Sequence, residues 1–87
     1  MHQFNHAKYQ IEIRSFFSTC TPQKLVDSFN AEVGQPGWVS ARALYLLELM
    51  NALRNTGIDC SLVIQKTSIC VKRTVKIENE RLVYSTK

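Results

Sequence analysis

The chain has 87 residues, of which 45% are hydrophobic and 21% charged, and its net charge is +4. This length allows one domain and excludes two with separate cores, and the composition excludes a disordered chain. No apolar run approaches the roughly 20 residues that span a bilayer, and the N-terminal residues lack the apolar core of a secretory signal, so we expect a cytoplasmic protein without membrane partners.

The N-terminal segment fits two patterns. Apolar residues alternate as in a strand at Tyr9, Ile11 and Ile13. Helical spacing is satisfied by Tyr9, Ile13, Phe16 and Phe17. We expect a strand here and a disordered segment over residues 1–6. A helix over residues 5–17 would instead give three helices followed by a β-hairpin, the order found in winged-helix DNA-binding domains.

Residues 21–57 are predicted to form a helical hairpin. Thr21 is a good N-cap, Pro22 suits the first helical position, and Gly34 suits the left-handed exit of the first helix. Ser40 is a good N-cap for the second helix, which we expect to run from about residue 41 to 55 and to end at Gly57.

The second helix of this hairpin changes character along its length. In its second half, polar residues share one stripe that should face solvent: Glu48, Asn51, Arg54 and Asn55. Its first half is apolar on all sides and must be covered by the rest of the fold or by another chain. This half and the preceding loop therefore predict a partner-binding surface of Trp38, Arg42, Leu44 and Leu47. A packing corner at Trp38 is the structural alternative.

Arg42 lies in the first turn of this helix, where a cation opposes the helix macrodipole. Two arrangements would offset this unfavourable interaction of the Arg42 charge with the helix dipole. Ser40 and Arg42 could hold an anion at the helix N-terminus, or Arg42 could pair within the fold, with Glu32 or by stacking on Trp38. Internal pairing is the favoured interpretation.

Residues 58–87 are predicted to form a basic antiparallel β-meander of up to three strands. The alternation of apolar and polar residues predicts a strand over residues 58–64 and a second strand over about residues 68–77. If Asn79 and Glu80 form a two-residue turn, Glu78 lies opposite Arg81 and two apolar pairs align: Ile77 with Leu82 and Val75 with Tyr84. The predicted fold class is therefore α+β, in one small domain.

From residue 65 onward the chain carries six basic and two acidic residues, which accounts for its whole net charge. Four of these cations form a candidate phosphate-contacting surface: Lys66, Lys72, Arg73 and Lys76. Lysines on exposed strands also protect sheet edges from aggregation, and no aromatic residue interleaves these cations as a stacking platform for single strands would require.

Three cysteines without C-x-x-C spacing predict free thiols: Cys20, Cys60 and Cys70. His2 and His6 have the spacing of two ligands on a helix, but no third ligand accompanies them, so we predict no metal and no cofactor. No base is placed to assist Cys20, and we predict no catalytic residue. The sequence thus predicts a non-enzymatic interaction or regulatory module that binds another protein or itself. The alternative is a nucleic-acid-binding protein.

Overall fold

A computed structural model describes residues 5–35, 40–66 and 68–85. Of Ser40 it describes the backbone alone. Within these residues, three helices precede two β-hairpins, and the elements are α1 (His6–Ser18), α2 (Pro22–Glu32), α3 (Ser40–Arg54), β1 (Ile64–Gln65), β2 (Ser68–Ile69), β3 (Val75–Glu78) and β4 (Arg81–Tyr84). The α+β class is confirmed.

The expected N-terminal strand is wrong, because residues 6–18 form α1. Asn5 caps this helix by accepting a hydrogen bond from the Lys8 backbone N–H at 3.0 Å. Ile13 and Phe17 are buried against α3, so the helical spacing prevails where a neighbouring helix can cover it. Asn5 is the N-cap of α1 and His6 is its first residue, whereas residues 1–4 lie outside the described residues, so the expected disorder stays a prediction.

Two helices occupy the segment predicted as a helical hairpin, and α3 begins at Ser40 itself, one residue earlier than predicted. The Thr21 hydroxyl accepts a hydrogen bond from the Lys24 backbone N–H at 3.2 Å, and Pro22 occupies the first position of α2. The helix exits through Gly34, whose φ of 81° lies in the left-handed region that glycine adopts without strain. α3 ends at Arg54, three residues before Gly57.

α3 is the central helix, since it packs against α1, α2 and β2. Its buried side is formed by Leu46, Leu49, Met50 and Leu53. The core of the domain joins these residues to buried side chains from the other two helices, from the segment between α3 and β1, and from the hairpins, namely Ile13, Phe17, Leu25, Val26, Phe29, Cys60, Val63, Ile64, Val75 and Leu82.

The C-terminal part forms two separate antiparallel pairs, β1 with β2 and β3 with β4, so the prediction of one meander is wrong in detail. The predicted strand over residues 58–64 is replaced by a turn in which Val63 and Ile64 donate backbone hydrogen bonds to the Cys60 carbonyl. This turn buries Val63 and Ile64 together, which strict alternation cannot do. The second predicted strand is interrupted between residues 69 and 75.

The β3–β4 register is confirmed in every predicted pair. Ile77 lies opposite Leu82, and Val75 lies opposite Tyr84. The turn residues Asn79 and Glu80 have φ values of 54° and 61°, as a type I′ hairpin turn requires.

Candidate partner-binding surface

α3 carries one exposed stripe on the side that the fold leaves uncovered. Its members recur at three- and four-residue spacing: Ala43, Leu47, Asn51 and Arg54. We call this set the α3 stripe. Leu47 retains 39% of its accessible surface, whereas Leu46 and Leu49 retain 2% and 0%. The N-terminal half of the stripe is apolar and the C-terminal half is polar.

The predicted partner residues are therefore placed as follows. Leu47 is exposed, and Leu44 beside it is half-buried. Arg42 is also half-buried, and Trp38 lies outside the described residues. The fold covers most of the apolar first half of α3, in part through Tyr45, whose ring meets the Phe17 ring edge-on at a centroid distance of 5.2 Å.

Arg42 pairs within the fold, as the favoured interpretation of the sequence had it. Its Nε lies 2.9 Å from Glu32 Oε1, and its Nη2 donates to the Glu32 backbone carbonyl at 3.1 Å. Glu32 is the last residue of α2, so the guanidinium also satisfies a carbonyl at the negative end of that helix dipole. This offsets the unfavourable position of Arg42 in α3. Anion binding by Ser40 and Arg42 stays a prediction.

The prediction that Glu48 faces solvent is wrong, because its side chain is 2% exposed. Its carboxylate accepts hydrogen bonds from Gln10 Nε2 at 2.7 Å and from Arg14 Nε and Nη2 at 3.0 Å each. These bonds lower the pKa of Glu48, with the Arg14 hydrogen bond as the largest cause, although burial acts in the opposite direction. Gln10 and Arg14 lie four positions apart, a spacing that places both side chains on one face of a helix. A strand prediction for this segment therefore does not bring them together at Glu48.

A groove of about 680 Å³ lies where the end of α1, the start of α2 and the second half of α3 meet. Phe17 and Leu25 contribute to its apolar wall, while Arg14 and Arg54 contribute charge. Among its described lining residues the one carboxylate is Glu48, which Arg14 and Gln10 already engage.

Cys20, which also lines the groove, is half-buried and its Sγ donates to the Phe16 carbonyl at 3.4 Å. Cys60 is buried, and burial raises the pKa of its thiol. Cys70 is exposed, and all three thiols are free. Within the described part of the chain, no three histidine, cysteine or acidic residues cluster as metal ligands.

The four candidate phosphate-contacting cations are all exposed, but they lie in three different places. Lys66 occupies the β1–β2 turn, whereas Lys72 and Arg73 lie in the connection between the hairpins. Lys76 lies on β3, where its Nζ is 3.4 Å from Glu78 Oε2. The Arg73 guanidinium carbon lies 4.3 Å from the centre of the Tyr84 ring, a cation–π contact that the sequence did not predict.

Two further apolar side chains on α1 are exposed, Ile11 to 64% and Phe16 to 58%. The helical pattern groups Phe16 with the buried Ile13 and Phe17, so the exposure of Phe16 departs from that pattern. The exposure of Ile11 follows from a helical assignment of this segment.

Comparison with models of protein families, with curated proteins and with solved structures finds no match to this chain. In the described ranges, no helix is both long and apolar enough to cross a membrane.

Proposed function

We propose that this protein is a non-enzymatic interaction module that self-associates through the apolar half of the α3 stripe. The observation that carries the proposal is the 39% exposure of Leu47 on the central helix. Removal of apolar surface from water is favourable by about 25 cal/mol per Å², and this gain offsets part of the entropic cost of association. Ala43 one turn away is small and exposed, which permits close approach of a second helix.

The polar half of the stripe supports the same proposal. Asn51 and Arg54 are exposed next to the apolar half, which gives the combination of an apolar centre and a polar rim found in protein interfaces. Arg54 has no acidic partner within the described residues, so it is available to a carboxylate of the second copy.

Sedimentation equilibrium over a wide concentration range tests this proposal. We expect the wild-type protein to associate as its concentration rises and Leu47→Glu to remain monomeric, because the carboxylate would have to be buried in the interface. Leu62→Glu is the matched control, since Leu62 is 36% exposed and lies outside α3. Circular dichroism confirms that each variant is folded. A wild-type protein that stays monomeric throughout would contradict self-association.

Nucleic-acid binding is the second candidate function. It is favoured by the helix over residues 6–18, which gives three helices ahead of the hairpins, and by the exposure of four cations in the C-terminal part. The α3 stripe carries one cation, Arg54, and is a poor reader of base edges. We therefore propose contacts to phosphates for this alternative, without sequence recognition.

A further inference from the structure

The outward-facing backbone groups of the β3–β4 hairpin follow from its register. Glu78 and Arg81 flank the two-residue turn and form a hydrogen-bonded pair, so the Ile77–Leu82 and Val75–Tyr84 pairs point their backbone groups away from the hairpin. Two contacts agree with this pattern. The Val75 backbone bonds to the Asn30 side chain, and the Leu82 N–H donates to the Asp59 carbonyl at 2.9 Å.

Asp59 therefore acts as a single-residue strand beside β4. It forms a parallel bridge with Arg81, in which the Asp59 N–H donates to the Glu80 carbonyl at 3.0 Å. The chain then turns away, because the Ser61 N–H bonds to the Asp59 side chain instead of continuing along β4. The next outward groups of β4 are the Leu82 carbonyl and the Tyr84 N–H, and neither has a hydrogen-bond partner among the described residues.

A groove of about 410 Å³ lies beside these two groups, between β4 and the segment that follows Asp59. Leu62 and Tyr84 line it, and they are 36% and 37% exposed. Arg73 stacks on Tyr84 and has no acidic partner in the described part of the chain. Two backbone groups without a partner among the described residues, two apolar side chains and a cation thus adjoin one another.

We propose that the β4 edge binds an extended segment of a partner protein that carries apolar and acidic side chains. The segment lies parallel to β4 and continues the pairing that Asp59 begins. Its backbone N–H donates to the Leu82 carbonyl, and its carbonyl accepts from the Tyr84 N–H. Its apolar side chains cover Leu62 and Tyr84, and a carboxylate reaches Arg73. This surface is independent of the α3 stripe.

A fluorescein-labelled decapeptide of alternating valine and glutamate serves as the probe, read by fluorescence anisotropy and by amide hydrogen exchange of Tyr84. We expect saturable binding and slower exchange at Tyr84 in the complex. The residue that donates to Leu82 pairs with Val83, so its side chain lies on the face opposite Tyr84 and is a glutamate when the valines cover Tyr84. Methylation of one central glutamate nitrogen in the peptide removes this donor and should weaken binding about fivefold, which corresponds to one net hydrogen bond of about 1 kcal/mol.

Two charge reversals separate this site from non-specific attraction. Arg73→Glu should weaken binding of the acidic peptide, whereas Arg54→Glu on α3 makes the same change of charge and should leave affinity nearly unchanged. Leu47→Glu should also leave it unchanged, which distinguishes failure here from failure of the α3 interface. The proposal is overturned if the peptide does not bind, or if both charge reversals weaken its binding equally. It is also overturned if concentrated protein alone slows exchange at Tyr84, because this would indicate that two copies pair along β4.

Discussion

The side chain of Asn30 bonds to the backbone of Val75 as a neighbouring strand would. Its Nδ2 donates to the Val75 carbonyl at 2.9 Å, and its Oδ1 accepts from the Val75 N–H at 2.8 Å. One amide group thereby covers part of the outer edge of β3 and joins the C-terminal hairpin to α2. Val75 is 1% exposed, so water is not available to replace either bond.

Substitution of Asn30 by leucine should therefore destabilise the fold. The variant leaves a buried donor and a buried acceptor of Val75 unsatisfied, which costs about 1–3 kcal/mol for each such group. Urea unfolding followed by circular dichroism measures the change. Asn30→Asp is the matched control, because it retains the acceptor for the Val75 N–H and loses the donor. An unfolding midpoint for Asn30→Leu equal to that of the wild type would show that the paired bonds do not stabilise the hairpin.

The buried Glu48 should make stability depend on pH. Its pKa is lower in the folded protein than usual because Arg14 donates hydrogen bonds to the carboxylate. Such a group stabilises the fold above its unfolded pKa, and the contribution is lost as pH falls through the folded pKa. We expect Glu48→Gln to lower the free energy of unfolding by about 1 kcal/mol at neutral pH and progressively less below the usual glutamate pKa of about 4.3.

Urea unfolding at a series of pH values measures this difference. Glu12→Gln is the control, since Glu12 lies on the same helix as Arg14 and is exposed. A constant difference between wild type and Glu48→Gln across the acidic range would exclude the ion pair as its source.

The β3–β4 turn should be improved by glycine at position 80. Glu80 has a φ of 61°, a region in which a Cβ atom is unfavourable and which glycine adopts readily. Asn-Gly is the preferred pair for this turn, so Glu80→Gly should raise the free energy of unfolding by up to about 1 kcal/mol. Glu80→Ala removes the same charge but keeps the Cβ. If both variants gain equally in thermal unfolding, relief of charge rather than backbone strain is the cause.

Nucleic-acid binding, if present, should depend steeply on salt. Anisotropy titration with labelled random duplex DNA should give a log–log slope of about −0.9 for each phosphate contact. Substitution of Lys72 and Arg73 by glutamate should make that slope shallower than substitution of Lys76 does, because the Lys76 ammonium group already pairs with Glu78. Lys24→Glu on α2 controls for net charge. Absence of binding at low salt would contradict this candidate function.

Local chemistry determined the features that were predicted correctly. The ends of α2 follow from Thr21, Pro22 and Gly34, and the β3–β4 register follows from the alternation around Asn79 and Glu80. These features depend on residues a few positions apart, so their energies are set within the segment itself. The sequence also predicts the Arg42–Glu32 pair across ten positions, because the two residues lie at helix ends that a short connection brings together.

Tertiary packing decided what the local pattern left open. Residues 6–18 satisfied two periodicities, and the presence of α3 as a surface for Ile13 and Phe17 selected the helix. Glu48 is buried because Arg14 and Gln10 approach it across 34 and 38 positions of the chain. Asn30 likewise meets Val75 across 45 positions. The sequence by itself therefore determined caps, turns and the class of the fold, whereas partners brought together by packing determined which polar groups are buried.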